Sequence, residues 1–161
     1  VRAAAILPDG KAALTGQGST MRLWDLATGC KVRDYVPRDL EVVDEFADTN
    51  SLGIWADGRI ALNGAGSRLT AWEVKEGKEI QSFTVDPWER ILAVALSPDG
   101  TKAVAGASEG KIRYFDLTNG SLVYDFKHPS LASLAMSPDG KLAISGGAEG
   151  MALWDLTTGT Q

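Results

Sequence analysis

Short apolar runs alternate with polar turns along the whole chain, and within the runs the alternation has a period of two. Leu52 and Ile54, Val94 and Leu96, and Leu134 and Met136 flank the small residues Gly53, Ala95 and Ala135. Side chains two apart share one face of a strand, so each run predicts a strand with one bulky and one small face. A second strand is predicted at Ala13-Leu14, Ala61-Leu62, Ala103-Val104 and Ala143-Ile144. A third holds an aromatic residue, as in "MRLWDL" and "MALWDL". A fourth, "CKVRDY", "KEIQSF" and "SLVYDF", ends on Tyr35, Phe83 or Phe126. No window carries a helical stripe, so the pattern predicts strands throughout.

The four strands recur as a unit. Asp-Gly pairs fall at Asp9-Gly10, Asp57-Gly58, Asp99-Gly100 and Asp139-Gly140, and a further glycine follows each at Gly16, Gly64, Gly106 and Gly146. Next comes an aromatic and an acid: Trp24-Asp25, Trp72-Glu73, Phe115-Asp116 and Trp154-Asp155. Gly29, Gly77, Gly120 and Gly159 close the units, and the Asp-Gly glycines are 48, 42 and 40 residues apart. Fixed spacing inside the unit and variable spacing between units place the inserts in one class of connecting loop. Asp-Gly between apolar runs predicts a two-residue hairpin in which both residues take positive φ. The glycine-rich stretches "NGAGSR" and "SGGAEG" are expected to be turns between strands.

A four-stranded sheet of about 40 residues cannot bury both of its faces alone, and stacking such sheets around an axis solves this. The chain is therefore expected to be an all-β propeller with four recognisable blades, at about 1–35, 36–83, 84–126 and 127–161, the last lacking its outer strand. "SPDG", then "AGASEG" or "SGGAEG", then "LWDL" and "TTG" resemble tryptophan-aspartate (WD) repeats, and the resemblance covers essentially the whole chain. It implies a ring of about seven blades, of which these residues would be part. It also implies a hydrogen-bond chain from a Gly-His imidazole through a Ser/Thr and the Trp to a tight-turn Asp. Here His128 follows Lys127, the Ser/Thr position holds Thr15, Asn63, Ala105 and Ser145, and the tight-turn Asp gives way to Ser19, Ser67, Glu109 and Glu149. No unit holds every member, so apolar packing rather than those side-chain bonds is expected to carry the blades. Trp24, Trp72 and Trp154 share the repeat position and are expected in the core.

Composition narrows the function. The 161 residues are 44% hydrophobic and 23% charged, which is globular composition. A net charge of −5 disfavours nucleic-acid binding, which needs a basic surface. With one histidine and one cysteine, a multi-histidine metal site and an intrachain disulfide are excluded, and no partner nucleophile is indicated for His128 as a general base. The glycine-rich turns lack the Gly-Lys-Ser/Thr ending of a phosphate loop. No cofactor and no metal are expected, and no apolar run reaches membrane-spanning length. A cytoplasmic location is the expectation.

Two features remain for recognition. Trp55 replaces the serine of the "SPDG" turn and Trp88 lies in the connecting stretch "VDPWER"; each suits either packing over a blade edge or an exposed anchor for a partner. The insert 36–50 carries Asp39, Glu41, Asp44, Glu45 and Asp48 against Arg38 alone, a net −4. It lacks the central Gly and distal Glu of a calcium loop, so it is either a solvated loop or a patch for a basic partner segment. In WD repeats the blade-to-blade connections share one face with the glycine-rich turns. That resemblance implies a face collecting Asp39, Glu41, Asp44, Asp48, Trp88, Arg90, Gln17, Arg68 and Ser108. The favoured expectation is a non-catalytic scaffold binding a protein or peptide there. The alternative is an accessory or sensor propeller of a larger enzyme or signalling protein. Such blades are expected to be stable only with further blades, from the same chain or a second copy.

Overall fold

The computed structural model describes residues 1–38 and 48–161. The chain is all-β, with one helical turn at Ser108–Gly110 among the described residues. Sheet 1 contains β1 (Ala3–Ile6), β2 (Ala12–Gln17), β3 (Thr20–Asp25) and β4 (Lys31–Tyr35). Sheet 2 contains β5 (Thr49–Ile54), β6 (Ile60–Ala65), β7 (Arg68–Glu73) and β8 (Lys78–Thr84). Sheet 3 contains β9 (Ile91–Leu96), β10 (Lys102–Ala107), β11 (Lys111–Asp116) and β12 (Ser121–Lys127). Sheet 4 has three strands, β13 (Leu131–Met136), β14 (Leu142–Gly147) and β15 (Gly150–Asp155), and Thr160 adds a single bridge to Asp155. Each sheet is an antiparallel meander in chain order. The first strands lie side by side, β1 against β5, β5 against β9 and β9 against β13. The described residues thus form successive propeller-type blades without closing a ring.

Each interface between sheets follows one rule. The bulky face of one sheet receives the aromatic face of the next. Leu14, Met21 and Tyr35 of sheet 1 cover Ala61 and Trp72 of sheet 2, with the Tyr35 and Trp72 rings edge to face at 5.6 Å. Leu62, Leu69 and Phe83 of sheet 2 cover Ala103 and Phe115 of sheet 3. Val104, Ile112 and Phe126 of sheet 3 cover Ala143 and Trp154 of sheet 4. The rule also says which faces stay open. On sheet 4, Ile144, Met151 and Leu153 occupy the positions of Leu14, Met21 and Leu23, yet are 41%, 80% and 54% exposed. On sheet 1 the open face is the aromatic one, so Trp24 is only half-buried, against 2% exposure for Trp72 and 4% for Trp154. The expectation that all three tryptophans lie in the core is corrected for Trp24.

Two local readings also change. The Asp-Gly turns are not two-residue hairpins. Gly10, Gly58, Gly100 and Gly140 take φ near +70°, but the preceding aspartates do not have positive φ. In each unit the turn spans four residues, with Gly10 N–H donating to the Leu7 carbonyl and Gly58 N–H to that of Trp55. The aspartate side chain then accepts the amide two residues on, as Asp9 Oδ1 does from Lys11 at 2.9 Å. The second correction concerns Gly16, Gly64 and Gly106, found inside β2, β6 and β10 although Gly64 belongs to "NGAGSR", expected as a turn. Their missing side chains make room for the next sheet: a Cβ there would lie 2.1 Å from Thr49 Cγ2, 2.6 Å from Ile91 Cγ2 and 2.2 Å from Leu131 Cδ2.

The side-chain network is partly present, against expectation. Trp24 Nε1 donates to Thr15 Oγ1 and Trp154 Nε1 to Ser145 Oγ, both at 2.8 Å. Where the position holds Asn63, Trp72 Nε1 has no partner and neither does Asn63 Oδ1. His128 is buried, its N–H donates to the Gly110 carbonyl, and its Nδ1 is unpaired. Trp55 packs at a sheet edge: its Nε1 donates to the Pro98 carbonyl of sheet 3, and Arg59 stacks over its ring at 4.6 Å.

Candidate protein-interaction face

Backbone hydrogen bonds fix which loops share an end of the sheets. Thr49 N–H donates to the Gly18 carbonyl, Ile91 N–H to Gly66 and His128 N–H to Gly110. The three sheet-to-sheet connections are therefore stitched to the turns that join the second and third strands. The Asp-Gly turns lie at the other end, beside the turns after the third strands, as in Leu26 N–H to Lys11 and Val74 N–H to Arg59. A cleft of about 410 Å³ opens at that opposite end between sheets 1 and 2, among Leu7, Pro8, Leu23, Asp57 and Val74.

The connection between β8 and β9 is tied to the sheets on both sides. Val85 N–H donates to the Ser67 carbonyl and Ile91 N–H to Gly66, so sheet 2 grips both ends. On the sheet 3 side, Arg90 N–H donates to Ser108 Oγ at 2.9 Å and Ser108 N–H returns to the Arg90 carbonyl at 2.7 Å. Glu89 N–H closes a turn onto the Asp86 carbonyl. Within this frame Glu89 is 3% exposed; its carboxylate accepts from Arg113 Nη1 at 2.7 Å and forms an ion pair with Lys111 Nζ. Asp86 accepts from the same two cations, at 2.8 Å from Lys111 Nζ and 3.3 Å from Arg113 Nη2. The Asp86 and then the Glu89 carboxylate hold the Lys111 ammonium above the ordinary lysine range, and Lys111 keeps the Asp86 carboxyl below its own. Trp88, between the two acids, is 91% exposed.

The other residues expected at this face are placed as follows. Arg90 and Ser108 bond each other beside Trp88. Gln17 lies near the Gly18 turn and accepts from Arg22 Nη1 at 2.6 Å. Arg68 runs along its sheet, with Nε donating to Ser82 Oγ at 2.6 Å and Nη2 lying 3.6 Å from Glu79. Asp48 pairs with Arg2 at 2.8 Å. Asp39, Glu41 and Asp44 lie outside the described residues. The sequence reading missed Asp86, Glu89, Lys111 and Arg113. The signal was the Lys-x-Arg alternation on β11, which puts both cations on one face of the strand, facing two acids around an aromatic.

Residues 77–116 match the family model of the WD domain, G-beta repeat. That segment is a WD repeat. The matched segment runs from β8 through β11, so one WD repeat takes the outer strand of sheet 2 and three strands of sheet 3. The Trp88 connection therefore sits inside a repeat, at the joint between two sheets. No curated protein matches the chain. WD repeats in general are non-catalytic scaffolds that bind proteins or peptides, and in that general sense this chain is a protein-interaction scaffold. Among the described residues no group of three His, Cys, Asp or Glu side chains is placed to hold a metal ion. No helix among them is long and apolar enough to cross a membrane.

Proposed function

We propose that this chain binds a protein partner on the end of the sheets that carries the sheet-to-sheet connections, without catalysis and without a cofactor. The observation that carries the reading is Trp88, 91% exposed on a connection tied to sheets on both sides. An indole left in water on a fixed loop has no role in folding, whereas tryptophan dominates protein interfaces once buried. The partner presents a Lys- or Arg-rich segment to the acidic stretch containing Asp39, Glu41, Asp44 and Asp48, which speeds encounter. Arg90, Ser108, Gln17 and Arg68 frame the same end. Blades 1–35, 36–83, 84–126 and 127–161 belong to a larger ring, about seven blades in the family pattern. Further sheets, from the same chain or a second copy, cover the open faces at Trp24 and Met151.

The test is surface binding of folded domains that carry a Lys/Arg-rich segment to the wild type, to the Asp44→Lys/Asp48→Lys variant and to Trp88→Ala. Charge reversal is expected to slow association and flatten its salt dependence. Trp88→Ala leaves the charge and the steering intact, so its effect falls on dissociation. Binding unchanged in both variants, or confined to the opposite end, refutes the proposal.

A further inference from the structure

The arrangement around Trp88 says more about the partner than its charge. Resting on the reading that this end of the sheets binds protein, we infer that Trp88 is a plug received by an apolar pocket in a folded partner domain, with Glu89 the positioning residue that holds it out. Three observations carry this. First, at 91% exposure Trp88 cannot form the wall of a groove; the surface here is convex, and the concavity must belong to the other molecule. An extended peptide covers only one side of such a ring and leaves most of the indole in water. Second, the backbone that carries the indole is held in place. Val85 and Ile91, which bracket the connection, are 5% and 0% exposed, and Glu89, next to Trp88, is buried against Arg113 and Lys111. A loop fixed before binding loses less freedom on docking, so more of the burial of the side chain it carries appears as affinity. Third, the acids that flank it are paired. Asp86 and Glu89 lie against Lys111 and Arg113, with Asp125 3.9 Å from Arg113, so the ring does not stand on bare negative charge and its recognition is apolar.

The experiment uses two probes, each selected on the wild-type chain without counter-selection: a linear Lys/Arg-rich peptide library, and a library of folded single domains with randomised concave surfaces. Association and dissociation rates are then measured on wild type, Trp88→Ala, Glu89→Gln and Asp48→Lys. Folded binders are expected to weaken about 100-fold on Trp88→Ala through faster dissociation. On Glu89→Gln they should weaken about 10-fold through slower association, because the indole survives but is no longer held out. If Glu89→Gln does not fold, Asp86→Asn loosens the exposed half of the clamp and serves the same purpose. Linear peptides should be indifferent to Trp88→Ala and respond to Asp48→Lys. Folded binders indifferent to Trp88→Ala, or linear peptides that lose tenfold or more on it, overturn the plug. Glu89→Gln acting only on dissociation overturns the positioning role. Linear peptides indifferent to Asp48→Lys, beside folded binders that need Trp88, overturn the basic-segment reading and leave the plug standing.

Discussion

Replacing Asn63 by threonine should stabilise the protein. In sheets 1 and 4 the repeat-position tryptophan donates its indole N–H to a hydroxyl two residues along from its cross-strand alanine, at 2.8 Å. In sheet 2 that position is Asn63, 2% exposed, and both its Oδ1 and Trp72 Nε1 lack partners. Its Nδ2 donates to the Ser19 carbonyl at a long 3.4 Å. Asn63→Thr places a hydroxyl where Thr15 and Ser145 have one. A neutral buried hydrogen bond contributes about 1 kcal/mol, and an unsatisfied buried polar atom costs about 1–3 kcal/mol. Against this stands one poor hydrogen bond, so the net gain should be about 1–2 kcal/mol. The assay is equilibrium urea unfolding, read as a higher midpoint at unchanged slope. Threonine also suits a strand better than asparagine, and a double-mutant cycle with Trp72→Phe separates the two contributions. The strand preference survives in the phenylalanine background, whereas the new bond does not. A gain of equal size in both backgrounds, or a lower midpoint for Asn63→Thr, refutes the reasoning.

Trp154→Ala, at a buried site against Phe126, should cost about 3–5 kcal/mol. Trp24→Ala, on the half-open face of sheet 1, should cost about 1–2 kcal/mol by partial burial alone, and equal midpoint losses would contradict the interface rule. Gly106→Ala drives a Cβ into Leu131 and should cost about 1–3 kcal/mol in urea unfolding. Gly146→Ala meets only Ser133 Oγ at 3.0 Å and should cost clearly less. Acid should destabilise the fold. Asp116, hydrogen-bonded by Lys102 and then Thr118, and Asp99 and Asp139, hydrogen-bonded by Ser97 and Ser137, have carboxyls below their ordinary range. A carboxyl held lower in the folded than in the unfolded chain adds stability above about pH 4, which is lost as pH falls through the folded value. Urea midpoints should therefore fall between pH 6 and pH 3, and Asp116→Asn should flatten the fall.

The fold was legible because its repeating features are local. Period-two alternation, the Asp-Gly glycines at positive φ and the aromatic-acid pairs each depend on neighbours in sequence, and β1 to β15 lie where those patterns put them. What misled were residues whose reason lies in another sheet. Gly64 looks like a turn glycine, but the task of Gly16, Gly64 and Gly106 is to admit Thr49, Ile91 and Leu131 from the next blade. Trp24 matches Trp72 and Trp154 in sequence position and differs only in whether a sheet covers it. The Trp-hydroxyl bonds were discounted because no unit holds the full network. A single Thr or Ser on the right face is nonetheless enough to form one link of it.

The binding end shows the same division between what a chain spells out and what only packing reveals. An aromatic in a connecting loop is visible in sequence, but "VDPWER" is equally consistent with a ring folded back over a sheet edge, the fate of Trp55. What separates them is the destination of the flanking acids. Asp86 and Glu89 point to Lys111 and Arg113, more than twenty residues away, and Trp88 between them stays in water. The acids thus do in this loop what hydrophobic residues do elsewhere in the fold, fixing the backbone by burial, and they do so with hydrogen-bonded charge. Because the loop lies within one WD repeat yet grips two sheets, loosening either sheet should loosen the indole as well. Glu89→Gln, scored by how slowly folded binders associate while dissociation stays unchanged, reads that coupling directly.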